Sequence, residues 1–203
     1  MMTPPSRSRS HRPIRPGRGR GLALLLASGL LWASPASAGV RLEGDEALAL
    51  AFPGCEIERR TVFLSKVQKE AAEKLAGAKI ESALVHPYLA TCEGKPGGAA
   101  YFDVHRVRTL PERVMVAVDA GGKILRIEVL SFDEPPDYLP RRGWYGQFEA
   151  KRLEDDLSLE GAIRPVAGAT LTAEATSKAA RRVLALHRVI FGAKAEVPPE
   201  PAP

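Results

Sequence analysis

Arg113 to Asp119 reads RVMVAVD and Lys123 to Leu130 reads KILRIEVL, two runs in which apolar and polar residues alternate around Ala120-Gly121-Gly122. Successive side chains of a strand point to opposite faces, so such alternation predicts strands with one buried face, and the short glycine-containing connection predicts an antiparallel hairpin. Just upstream, Ser82–Thr91 (SALVHPYLAT) and Ala99–Val107 (AAYFDVHRV) are β-rich and flank the turn-forming Glu93-Gly94-Lys95-Pro96-Gly97-Gly98, which predicts a second antiparallel pair. The centre of the chain therefore reads as an antiparallel sheet.

Helical patterns lie on both sides of it. Asp45–Ala51 (DEALALA) has acids in its first turn and is stopped by Pro53-Gly54, and after a strand over Glu56–Leu64 (EIERRTVFL), Ser65 and Gln68 form a capping box that opens a helix to Ala76, ended by Gly77. Toward the C-terminus, Ala175, Ala179, Val183, Leu186 and Ile190 recur at helical spacing, with Thr172 expected as the N-cap and Glu174 in the first turn. Between sheet and last helix, Phe132–Tyr145 (FDEPPDYLPRRGWY) is too irregular for an element and too apolar for a solvated linker; a packed surface loop is expected. The fold class is α+β, an antiparallel sheet with packed helices.

The ends carry a different message. Arg7, Arg9, Arg12, Arg15, Arg18 and Arg20 precede an apolar run from Gly21 to Ala33, and Ala36-Ser37-Ala38 follows Pro35. These are the basic, apolar and small-residue regions of a signal peptide over 1–38, cleaved before Gly39, and the apolar run is too short for a spanning helix. Export to a periplasmic or other extracytoplasmic compartment is expected, with one domain over 39–195 and a disordered proline-rich tail over 196–203. Removing the six arginines from the 29 basic residues leaves 23 against 24 acidic ones, a net of −1. The basic excess of the whole chain belongs to the leader, which argues against nucleic acid as a partner. Cys55 and Cys92 have no CxxC or CxxCH spacing; in an oxidising compartment they are either bridged or two free thiols.

The chemically informative stretch is Val166-Ala167-Gly168-Ala169-Thr170-Leu171-Thr172-Ala173, at the entry to the last helix. Small residues let a ligand approach the backbone, and unpaired amides at a helix N-terminus favour a phosphate. It is neither a Walker loop nor GxGxxG, and on the residues alone an ordinary capped helix with a glycine in the preceding loop is the better reading. Gly168-Ala169-Thr170-Leu171-Thr172 before an alanine-rich helix resembles the signature of the FMN-binding domain family. In the peripheral subunits of sodium-pumping NADH:quinone oxidoreductase and related electron-transport complexes, such a motif carries FMN phosphoester-linked through its last threonine, the position of Thr170. Ala47–Gly54 (ALALAFPG) and Ser131–Phe148 extend the likeness, with Glu134-Pro135 where family members carry Glu-Thr-Pro-Gly. The family's attachment consensus has an acidic residue six positions before the threonine and Ser or Thr three before it; here these are Arg164 and Ala167. Covalent and non-covalent FMN both stay open, with Arg164 a candidate to face the phosphate.

The resemblance implies an FMN-binding electron carrier, with Arg164, Ala167, Gly168, Ala169, Thr170, Leu171, Thr172, Glu134 and Trp144 as cofactor-binding candidates. It also implies a membrane-associated redox partner and a flavin transferase. Trp144 and Tyr145 could stack on the flavin or anchor their loop. His86, His105 and His187 lack metal-ligand spacing and read as ordinary sheet and helix residues; Asp133, Glu134 and Asp137 read as a charged loop rather than acid–base catalysts. The alternative is a flavin-free exported binding or scaffold domain of the same fold, separated from the first by whether the purified protein is yellow.

Overall fold

The computed structural model describes residues 42–192; the expected signal peptide over 1–38 and the tail over 196–203 lie outside the described residues. Helix α1 (Gly44–Ala51) opens with a reciprocal cap between Glu43 and Glu46 and ends at Phe52. Helix α2 (Lys66–Ala76) opens on the expected Ser65–Gln68 capping box and closes on Gly77 in the left-handed conformation. Helix α3 spans Thr170–Phe191.

The single strand expected over Glu56–Leu64 is instead two, β1 (Glu56–Arg59) and β2 (Val62–Phe63). The run Ser82–Thr91 is likewise broken into β3 (Leu84–Val85) and β4 (Tyr88–Cys92). Pro87 explains both breaks: it has no N–H to give to a ladder, and its carbonyl accepts from Arg60 N–H (2.9 Å) at the gap in the opposite strand. The remaining strands are β5 (Lys95–Arg106), β6 (Pro111–Asp119) and β7 (Ile124–Phe132). Strands β1-β4-β5-β6-β7 form, in that order, an antiparallel sheet, and β2 pairs with β3 in a small one of its own.

The turn expected over Glu93–Gly98 contracts to Glu93-Gly94, and Lys95–Gly98 join β5. The register slips between Ala90 and Thr91, opposite Gly97-Gly98. Gly98 has φ +132°, and a Cβ there would collide with the Val118 carbonyl oxygen, so no larger residue fits. Cys55 and Cys92 are disulfide-bonded, their Cα atoms 4.3 Å apart, and join the end of α1 to the β4–β5 turn; the two-thiol alternative is set aside.

One buried face was expected for β6, and the structure corrects this. Val114, Val116 and Val118 pack toward Ala179, Ala180, Val183 and Leu184 of α3, while Met115 and Ala117 pack on the other side against Ala47, Leu48 and Phe52 of α1. Helices cover both faces, so β6 forms the common wall of two cores. The segment expected as an irregular loop contains two short 3₁₀ turns, Pro136–Tyr138 and Arg142–Phe148, and buries Tyr145 and Phe148 in the α3-side core. Tyr145 and Phe148 anchor the segment on apolar ground.

Candidate functional site at the start of helix α3

Thr172 is not the N-cap of α3. Gly168, at φ +82°, turns the chain into the helix three residues early, and Ala169 holds the cap position with no side-chain bond to the helix. Thr172 sits buried within the first turn and its Oγ1 donates to the Tyr138 carbonyl at 2.6 Å. Glu174 correspondingly falls outside the first turn, which contains no acid. The first intrahelical amide bond is Ala173 N–H to Ala169 C=O, 2.9 Å. The amides of Thr170, Leu171 and Thr172 therefore have no acceptor within the helix. A 22-residue helix concentrates about half a positive charge at such an end.

A cavity of about 150 Å³ opens there, lined by Arg108, Tyr138 and Gly168 to Thr172. Arg108 comes from the β5–β6 turn, its guanidinium carbon 4.5 Å from the centroid of the Tyr138 ring, where cation and aromatic face attract. Thr170 is exposed, and its hydroxyl has only a long contact, 3.5 Å, to the Val166 carbonyl. The cavity thus combines backbone donors, one guanidinium and one accessible hydroxyl without a carboxylate among its lining residues. Its donor set fits a phosphate ester.

Glu134 supports this arrangement from beneath rather than lining it. Its Oε1 accepts from the N–H groups of Arg108 (3.2 Å), Thr109 (2.6 Å) and Leu110 (2.8 Å) and from the Thr109 hydroxyl. The Thr109 and Leu110 amides, above all, hold its carboxyl below the usual carboxylate range. A buried carboxylate thereby gathers the turn that carries Arg108. Trp144 and Arg164 are joined to each other, the indole N–H donating to the Arg164 carbonyl at 2.7 Å, while Arg164 N–H donates to Gln147 Oε1 at 2.9 Å. Trp144 also meets Tyr145 and Phe148 edge-on. Trp144, Arg164 and Ala167 are absent from the cavity lining; Gly168 to Thr172 are together in it. Arg108 and Tyr138 are the residues that sequence reasoning missed, because only the tertiary fold carries them to α3.

His105, read from sequence as an ordinary sheet residue, is the middle of a buried polar chain. Its Nδ1 bonds Asp103 (2.8 Å) and its Nε2 bonds the fully buried Glu112 (2.9 Å). Asp103 takes a two-pronged contact from Arg182 of α3. Burial pulls the imidazolium down, but the two carboxylates outweigh it and raise the His105 pKa. This chain fixes α3 on the sheet three turns beyond Thr170.

No curated protein and no solved structure matches this chain. Residues 110–185 match the family model of the FMN-binding domain, a stretch that runs from β6 through β7 and the packed turns into α3 and includes every α3-side residue of the cavity. That match supports an FMN-binding domain over residues 110–185, and FMN is the cofactor that it indicates.

Proposed function

We propose that this protein is an exported flavoprotein electron carrier that anchors the FMN phosphate at the start of α3. The observation that carries the reading is the uncapped first turn of α3, whose three unpartnered amides belong to the segment matching the FMN-binding domain and line one cavity with Arg108, which lies just before that segment. When bound, FMN supplies one- and two-electron chemistry. The chain supplies the rest. The amides of Thr170, Leu171 and Thr172 donate to phosphate oxygens, Arg108 neutralises charge from the opposite wall, and the left-handed Gly168 lets the backbone approach without a side chain in the way. Each charge-assisted hydrogen bond of this kind contributes about 1.5–3 kcal/mol.

The exposed Thr170 hydroxyl stands where a phosphoester would form: on a flavin transferase its oxygen would attack the FMN phosphorus of a flavin dinucleotide, the phosphoanhydride would break, a nucleoside monophosphate would leave and the hydroxyl proton would pass to solvent. Arg164 and Ala167 depart from the attachment consensus, so the ester and the non-covalent complex share one site and differ in one bond. Among the described residues no helix is long and apolar enough to cross a membrane; electrons would pass to and from a membrane-associated redox partner. The arginine-rich leader supports the exported location.

The test is the colour and mass of protein recovered from the exported fraction of cells that contain FMN and a flavin transferase. An ester predicts flavin that survives denaturation, an FMN-phosphoryl mass on the peptide containing Thr170, and loss of both in Thr170→Ala. A non-covalent complex predicts full release on denaturation and weaker binding in Thr170→Ala and Arg108→Ala. Colourless protein that added FMN does not stabilise thermally would reject the proposal.

A further inference from the structure

Strand β5 outruns one of its neighbours. Strand β4 pairs with it only as far as Tyr88 opposite Ala100, because Pro87 carries the chain away into the β2–β3 ribbon, whose Val85 packs on the α3-side core. On the other side the pairing with β6 continues to Arg106 opposite Pro111. Phe102 to Arg106 therefore form a free edge of the main sheet, and the ladder fixes what that edge offers. Val107 N–H donates to the Leu110 carbonyl, and in an antiparallel pair the residues that exchange hydrogen bonds alternate with those that do not. Counting back through the unbroken register, His105 and Asp103 turn their backbone groups to β6, while Phe102, Val104 and Arg106 turn theirs outward. Pro111, which has no N–H, stands opposite Arg106, where none is needed. Among the described residues, no strand or turn pairs with the outward groups.

The sheet's other edges are protected. Strand β1 is four residues long and three of them are charged. Strand β7 is capped by Ala150 and Lys151 at Ile124 and by Leu42 at Leu130. Between Phe102 and Arg106 there is no proline, lysine or bulge, the devices that keep sheet edges apart, and Val104 in the middle is 59% exposed. We infer that this edge pairs with the same edge of a second copy of the chain, antiparallel about a two-fold axis at Val104. In that register each outward N–H meets an outward carbonyl: Val104 bonds Val104 of the second copy, and Phe102 and Arg106 bond each other, joining two sheets into one. The side chains agree with the backbone, since Phe-Asp-Val-His-Arg is complementary to itself when reversed. On the α1 side, valine meets valine and each Arg106 guanidinium meets a Phe102 ring, a favourable cation–aromatic pair. On the α3 side, Asp103 meets His105, so neither face sets like charges against each other.

Sedimentation equilibrium of the exported protein over a range of concentrations, with and without added FMN, tests this. Val104→Lys sets two ammonium groups face to face at the axis, and Phe63→Lys, at an apolar site on β2 that is 76% exposed and lies off the edge, is the control. Val104→Cys reads the register, because opposed Cα atoms in a hydrogen-bonded antiparallel pair lie about 5.5 Å apart, within the span of a disulfide. The expected results are a wild-type mass that rises from one chain to two with concentration, a Val104→Lys variant that stays at one, a Phe63→Lys variant that follows the wild type, and a covalent dimer on oxidation of Val104→Cys. A dimer that Val104→Lys leaves intact, or a wild type that stays monomeric at every concentration, would overturn the inference. In such a monomer, slow hydrogen exchange at Phe102, Val104 and Arg106 would assign the edge to another segment of the same chain, and fast exchange would leave it bare. Circular dichroism separates these results from misfolding, and Val104→Cys decides the matter if Val104→Lys fails to fold.

Discussion

Replacing Gly168 by alanine isolates the backbone of the site from its side chains. At φ +82°, a Cβ built on Gly168 meets nothing within 4 Å, so crowding contributes nothing and the whole effect is conformational. Holding an L-residue in the left-handed region costs about 1–2 kcal/mol, and the stiffer unfolded chain returns about 0.4–1 kcal/mol of this. A net loss near 1 kcal/mol remains, roughly fivefold in an equilibrium constant. If the turn keeps its shape, that loss appears as lower stability in urea unfolding. If the turn relaxes to negative φ, the amides of Thr170 and Leu171 swing away and the loss appears as weaker FMN binding, read by flavin fluorescence. Gly168→Asn, which tolerates the left-handed region, should lose distinctly less on both measures. An alanine variant equal to wild type in stability and flavin affinity, or an asparagine variant as damaged as alanine, would refute the reasoning.

Two further outcomes follow from the core. The Cys55–Cys92 bridge spans 37 residues, and by loop-closure entropy its removal in Cys92→Ser should lower stability by about 4 kcal/mol; unchanged thermal melting with and without reductant would contradict this. His187 is buried beside the Tyr101 hydroxyl (3.1 Å), and burial pulls its pKa from 6.5 to about 4. Because the folded state resists the proton, this contribution is intact above the unfolded value and is lost as pH falls from 6.5 toward 4, on the order of 3 kcal/mol at the acid end. Denaturant unfolding across that window should show the loss in wild type and a flatter profile in His187→Gln.

Capping and periodicity announced the helices, since Ser65 with Gln68 and the alanine face of α3 act through neighbours three and four residues away. The β6–β7 hairpin was legible for the same reason. Non-local constraints were not. Pro87, which has no N–H to give to a ladder, interrupts both strands because the fold sets it opposite Arg60, and β6 is buried on both faces because α1 returns to cover Met115 and Ala117. At the site, Gly168 to Thr172 were visible as a small-residue helix entry. Which threonine caps was not, because the Thr172 hydroxyl goes to the Tyr138 carbonyl, a bond across 34 residues. Arg108 joins the cavity only through the β5–β6 turn held by Glu134, and the His105 clamp needs residues from two strands and a helix.

The phosphate cradle proposed at the start of α3 would be built mainly from peptide N–H groups, which every residue except proline possesses. Drift at Ala169, Leu171 or Ala167 therefore changes the lettering of the motif while leaving its donors in place, provided that the side chains stay small and position 168 can still turn left. Such a site depends on backbone shape before side-chain chemistry, so it tolerates changes of residue that a signature written as particular residues does not.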